Sequence, residues 1–140
     1  MRKILPLLLG LLAWGALSSS ASADVVIRVS KSEQTMFVYV DGYLEHEWAV
    51  STGRGGYGTP SGTYRPTSFD PYHRSRAYNY APMPYSIFFH GGYAIHGSYD
   101  TDHLGSPASH GCIRLHPDDA AELYSLVRGD PEGTRIIISY

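Results

Sequence analysis

Val25, Ile27 and Val29 alternate with Val26, Arg28 and Ser30. This two-residue period suits a strand with one face on a core and is incompatible with a stable helical stripe. The same β character recurs along the chain. Thr35–Val40 and Tyr43–Ser51 are two runs joined by Asp41-Gly42, a pair suited to the positive φ angles of a tight hairpin. Ser86–Phe89, Tyr93–Ile95 and Thr134–Ser139 are further short runs, with Gly91-Gly92 as a turn between the first two. Short strands punctuated in this way predict a single, mainly β domain of sandwich or barrel type. One helix is expected. Pro117 suits a first helical position, Asp118 and Asp119 complement the N-terminal dipole, Ala120, Leu123, Tyr124 and Val127 recur at helical spacing, and Arg128-Gly129 closes it. Gly53 to Pro84 is rich in Gly, Pro and Tyr without a sustained period. It is expected to be a long loop with at most short strands.

The first 23 residues are set apart from this pattern. Met1, Arg2 and Lys3 precede an apolar run from Ile4 to Leu17, and Ala21-Ser22-Ala23 has the small residues of a cleavage site. The run is short for a membrane span of roughly 20 apolar residues. A cleaved export signal over 1–23 is therefore expected, with no stable membrane span after cleavage; a retained anchor is the alternative. The folded domain is then 24–140, outside the cytoplasm. Losing Arg2 and Lys3 leaves 9 basic residues (11 minus 2) against 13 acidic ones, a net charge near -4. With no basic run or stripe, nucleic acid is not an expected partner.

An exported chain usually carries its cysteines in pairs, but this one has a single cysteine, in Ser109–His116, SHGCIRLH. No disulfide framework is possible. A free thiol, with a pKa of about 8.5, is only a few per cent ionised at neutral pH, and bringing it to about 6.5 takes about 2.7 kcal/mol of preferential stabilisation. An adjacent imidazolium in a partly desolvated site can supply that. Seven histidines are available. His110 lies two residues before Cys112, on the same side of an extended segment, but need not meet it ring to sulfur. His96 ends a predicted strand and is followed by Gly97, whose carbonyl can hold the other ring nitrogen. His96 is thus the better base, and His46, His73, His90 and His103 are expected on the surface or in loops.

The motifs also resemble a known family. Val50-Ser51-Thr52-Gly53, Thr59-Pro60-Ser61-Gly62-Thr63, Met83-Pro84-Tyr85, Ile95-His96-Gly97 and Ser109-His110-Gly111-Cys112-Ile113-Arg114-Leu115 follow in an order and spacing similar to the L,D-transpeptidases of the YkuD type. The resemblance implies a cysteine acyltransferase acting on peptidoglycan tetrapeptide stems, without a cofactor or metal. Cys112 would attack the carbonyl of the third stem residue, usually meso-diaminopimelate, and His96, oriented by the Gly97 carbonyl, would carry the proton. The thioester would pass to a second stem, to an outer-membrane protein or lipoprotein, or to water, the last being L,D-carboxypeptidase activity.

Neighbouring residues take expected roles in the same picture. Gly111 permits close backbone approach, so the Gly111 and Cys112 amides are candidate oxyanion donors, with the Tyr85 hydroxyl a further one. Arg114, on the side of Cys112, is positioned to bind a substrate carboxylate; the family often has Asn there. His110 and Ser109 are candidates for substrate binding or for ordering the motif. Two rival readings use the same residues. Cys112 with His96, His110, His103 or His116 would make a zinc site, although neither C-x-x-C nor H-E-x-x-H spacing is present. A non-catalytic, cell-wall-binding β domain would use none of the thiol chemistry.

Overall fold

The computed structural model describes residues 24–140 and the isolated Gly15. The expected export segment otherwise lies outside the described residues. Among the described residues, nine strands form two mixed sheets. The first sheet has the order β3-β2-β1-β9-β4, built from β1 (Val25–Ser30), β2 (Thr35–Val40), β3 (Tyr43–Ala49), β4 (Gly62–Tyr64) and β9 (Thr134–Ser139). The second runs β5-β6-β7-β8, from β5 (Ser68–Ser75), β6 (Ala81–His90), β7 (Tyr93–Gly97) and β8 (Ile113–Leu115). The helix α1 (Pro117–Gly129) follows β8. Among the described residues, no helix is long and apolar enough to cross a membrane.

The alternation seen in the sequence becomes burial. Val25, Ile27 and Val29 point inward beside Met36 and Val38 of β2 and Ile136 and Ile138 of β9. Ile87, Phe89, Ile95, Ile113 and Leu115 of the second sheet meet them in one core cluster, completed by Ala120, Leu123 and Val127 of α1. The Asp41-Gly42 turn has φ of 50° and 83° and closes the β2–β3 hairpin at Val40 and Tyr43, as its residue pair requires. Pro117 opens the helix, and the cap is His116, whose Nδ1 accepts the Asp118 N–H at 3.1 Å; the sequence reading had named no capping residue.

Two expectations need correction. The third run, expected to continue to Ser51, leaves the first sheet after Ala49, and Ser51 instead bridges Arg114 through a reciprocal backbone pair, N–H to O at 3.1 and 2.9 Å. The stretch Gly53–Pro84 is also more ordered than a loop, because it contains β4, the eight-residue β5 and the start of β6. β5 and β6 pair from Ser68–Phe88 to Ser75–Ala81 around a turn at 76–80. Periodicity could not flag β5, an edge strand of half-buried and exposed residues with Pro71 inside it. Edge strands tolerate proline because one side of the ladder needs no donor. β6 meets β7 only from Ile87 onward, so Pro82 and Pro84 fall where β6 pairs with β5 alone.

Candidate active site

The parallel pairing of β7 with β8 sets the site. Ile95 is opposite Ile113, and His96 is opposite Arg114. Ile95 and Ile113 face the core, so the two-residue period turns His96 and Arg114 to the other side, together with Cys112 two residues upstream. All three line one cavity of about 690 Å³. The β5–β6 hairpin walls it with His73, Tyr78 and Met83, and Tyr93 of β7 stands beside the thiol segment.

His96 is 5% exposed, and its Nδ1 lies 2.7 Å from the Gly97 carbonyl oxygen. A carbonyl can only accept, so Nδ1 carries the proton and Nε2 presents a bare lone pair. Burial, outweighing the Gly97 carbonyl and assisted by the Arg114 charge and by His73, lowers the His96 pKa to about 4. Burial also raises the Cys112 thiol above its ordinary value, against the smaller opposing effects of the Ala94 backbone and Arg114. The Cys112 Sγ lies 3.8 Å from the Gly92 carbonyl oxygen. These shifts correct the expectation of an imidazolium holding a thiolate. At neutral pH the resting pair is a neutral ring and a neutral thiol, because removing both groups from water disfavours both charges.

The segment around the cysteine is fastened from two directions. The buried Ser109 hydroxyl accepts the Gly111 N–H at 3.0 Å and donates to the Cys112 carbonyl. The Thr59 hydroxyl, 3% exposed, donates to the Gly111 carbonyl at 2.8 Å and accepts the Gly53 N–H at 2.9 Å. Two glycines permit this closeness. A Cβ on Gly53 would lie 1.7 Å from the Tyr57 carbonyl oxygen, and one on Gly111, where φ is +124°, would lie 2.6 Å from the Tyr93 ring. The Gly111 amide, expected to be free for an oxyanion, is thus already committed to Ser109. Thr59, to which no local sequence signal gives a role, is the residue that joins the Gly53 and Gly111 motifs.

The other expected residues divide. His110 lines the cavity under a stacked Tyr78 ring, centroids 4.0 Å apart, with Tyr57 edge-on at 4.8 Å. Arg54 Nη2 approaches His110 Nε2 at 3.1 Å, and since a guanidinium only donates, Nε2 is the acceptor. Burial and the Arg54 and Arg114 charges lower the His110 pKa. Tyr85 is not brought to the cavity. Its ring packs against Tyr124 of α1, centroids 5.6 Å apart, and against the core, so its expected place beside the reacting carbonyl is corrected. Arg114 faces the cavity and meets Asp100 at 3.6 Å. His73, expected to be peripheral, lines the cavity, and so do Tyr78 and Asp100. Tyr78 belonged to a tyrosine-rich stretch visible in the sequence; nothing local marked His73 or Asp100. Among the described residues no group of three or more His, Cys, Asp or Glu is placed to hold a metal ion.

Fold and cavity define a one-domain, two-sheet β protein whose lone thiol shares a cleft with a carbonyl-anchored imidazole. The L,D-transpeptidase catalytic domain, YkuD, matches residues 24–138, and the chain belongs to that family. YqjB of Bacillus subtilis is 27% identical over 139 residues, covering 90% of this chain and 77% of its own. An L,D-transpeptidase from Mycobacterium smegmatis superposes with a TM-score of 0.75 at 26% identity, over 84% of this chain and 59% of that one. L,D-transpeptidase 3 from Mycobacterium tuberculosis, solved with a faropenem-derived adduct, gives 0.75 at 26% identity, over 84% and 61%. The chain thus spans about three fifths of the length of those solved relatives.

Proposed function

We propose that this chain is an exported, cysteine-dependent L,D-transpeptidase acting on peptidoglycan tetrapeptide stems. Cys112 is the nucleophile, His96 the general base and acid, and the Gly97 carbonyl the group that fixes the ring. The observation that carries this reading is a buried histidine whose Nδ1 is anchored on the Gly97 carbonyl, which leaves Nε2 to accept a proton, in the same cavity as the chain's single cysteine.

As the Cys112 sulfur attacks the carbonyl of the third stem residue, its proton passes to His96 Nε2. The tetrahedral centre collapses, the C–N bond to the terminal D-alanine breaks, and the proton moves from His96 to the departing amine. The thioester is then attacked by an amine of a second stem, whose proton returns through His96 as the C–S bond breaks, giving a 3-3 cross-link and the free thiol. The Cys112 amide is the backbone donor proposed for the developing oxyanion, because the Gly111 amide is engaged. His110 and Arg114 are proposed to contact substrate, and Ser109 to hold the turn. The same acyl-enzyme serves attachment of a protein to the wall, or hydrolysis to a tripeptide.

Export follows from the signal-like residues 1–23, and 24–140 form the catalytic domain in this reading. Mass spectrometry of the intact protein after exposure to faropenem tests the nucleophile: a covalent adduct that maps to Cys112 supports the reading, and no adduct favours a non-catalytic wall-binding domain. Incubation with purified tetrapeptide muropeptides then assigns the acceptor from the product masses.

A further inference from the structure

The turn between β1 and β2 belongs to the first sheet and lies outside the lining of the cavity, yet both fastenings of the cysteine segment lead back to it. Gln34, its last residue, is 4% exposed and has φ of +49°, a left-handed conformation uncommon for any residue but glycine. Both amide hydrogens of its side chain are used: Nε2 donates to the Thr52 hydroxyl and to the Lys31 carbonyl, each at 2.7 Å. Its Oε1 accepts the Thr52 N–H at 2.9 Å. Thr52, also buried, passes the hold onward, because its carbonyl oxygen accepts the Ala108 and Ser109 N–H groups, both at 3.0 Å. The Ser109 hydroxyl then clamps Gly111 and Cys112. Lys31 of the same turn reaches the second fastening. Its Nζ, 4.0 Å over the Tyr140 ring, donates to the Thr59 carbonyl at 2.9 Å, and the Thr59 hydroxyl holds the Gly111 carbonyl.

Resting on the reading above, we propose that Gln34, acting through Thr52, is a positioning residue for acylation, and that with Lys31 it makes the β1–β2 turn the anchor that aims the Cys112 amide at the developing oxyanion. The Gly111–Cys112 peptide is planar and trans, so its C=O and the Cys112 N–H point in opposite directions. Holding the Gly111 carbonyl on Thr59 therefore sets the line along which the Cys112 N–H points. Ser109 fixes the two groups on either side of that peptide, the Gly111 N–H and the Cys112 carbonyl. No part of the turn touches the reacting atoms. It acts by leaving the donor a single direction, where a misplacement of about 1 Å can cost about 100-fold in rate. A left-handed glutamine persists only where its surroundings hold it there, and the three side-chain bonds to Thr52 and Lys31 do so.

The test follows two reactions of the full chain, with urea unfolding giving the folded fraction of each variant. Faropenem acylation across a range of concentrations separates the encounter constant from the maximal rate. Alkylation by iodoacetamide consumes the same sulfur but forms no oxyanion. Gln34→Met, of similar length and without the three bonds, is expected to lower the maximal acylation rate of folded protein roughly 10- to 100-fold. Its encounter constant and alkylation rate stay within about 2-fold of wild type. Thr52→Ser, which keeps the hydroxyl, stays within about 2-fold in every reading, and Thr52→Val falls between Thr52→Ser and Gln34→Met. Should Gln34→Met not fold, Thr52→Val against Thr52→Ser reads the same split. An unchanged maximal rate, a loss that lies in the encounter constant alone, or alkylation that slows in step with acylation overturns the positioning role and leaves the proposed nucleophile standing. A wild type that faropenem does not modify refutes the nucleophile and the positioning role together.

Discussion

Acidification should destabilise this protein through one buried ring. The His96 pKa is about 4 in the folded chain against an ordinary value of 6.5. Between those values the unfolded chain binds a proton that the folded one refuses, so folding stability falls as pH drops from 6.5 toward 4. The complete effect is about 3 kcal/mol, and most of it, about 2 kcal/mol, falls between pH 7 and 4.5. The physical source is the transfer of an imidazolium into a site that is 5% exposed beside the Arg114 charge. The assay is urea unfolding of the wild type and His96→Gln at both pH values. Contributions common to both proteins cancel in the difference. The wild type should lose about 2 kcal/mol more than the variant on acidification. Parallel losses, within about 0.5 kcal/mol, would refute the claim that His96 is buried as a neutral ring.

The same depressed value predicts that faropenem acylation keeps its rate down to about pH 5 and fails with a midpoint near 4, where stopped-flow measurements should find its acid limb. Cys112→Ser should abolish the adduct and turnover while leaving the unfolding free energy within about 1 kcal/mol of wild type. Thr59→Val should remove the partner of both the Gly111 carbonyl and the Gly53 N–H, costing about 1–3 kcal/mol in urea unfolding and slowing acylation. Tyr85→Phe should leave acylation unchanged, since its ring packs on Tyr124 rather than in the cavity; a large loss in rate would restore the corrected assignment.

What could be read from the chain depended on how local each signal was. The Val25–Val29 alternation, the Asp41-Gly42 turn and the Pro117–Gly129 helix are written in adjacent residues, and each appears as expected. β5 is not, because its partner β6 supplies the ladder while its own side chains lie at an edge and carry no apolar period. The candidate site follows the same division. Cys112, His96 and Gly97 stand out through residue chemistry and motif order. By contrast, the Gly111 amide is taken by Ser109 only because the backbone turns at φ +124°. Tyr85 leaves the cavity because α1 offers it an aromatic neighbour. Asp100 and His73 reach the cleft through tertiary placement that no nearby residues encode.

For the proposed nucleophile, the resting protonation of Cys112 bears on survival between turnovers. Peroxide and low-molecular-weight disulfides consume the sulfur anion far faster than its conjugate acid. Burial that holds the hydrogen in place therefore shields the thiol in the oxidising milieu that the proposed export implies, where no second cysteine of the chain is present to resolve damage. On the proposed mechanism, reactivity is kept for the moment a donor fills the cleft and the ring accepts the hydrogen, so endurance and potency are separated in time.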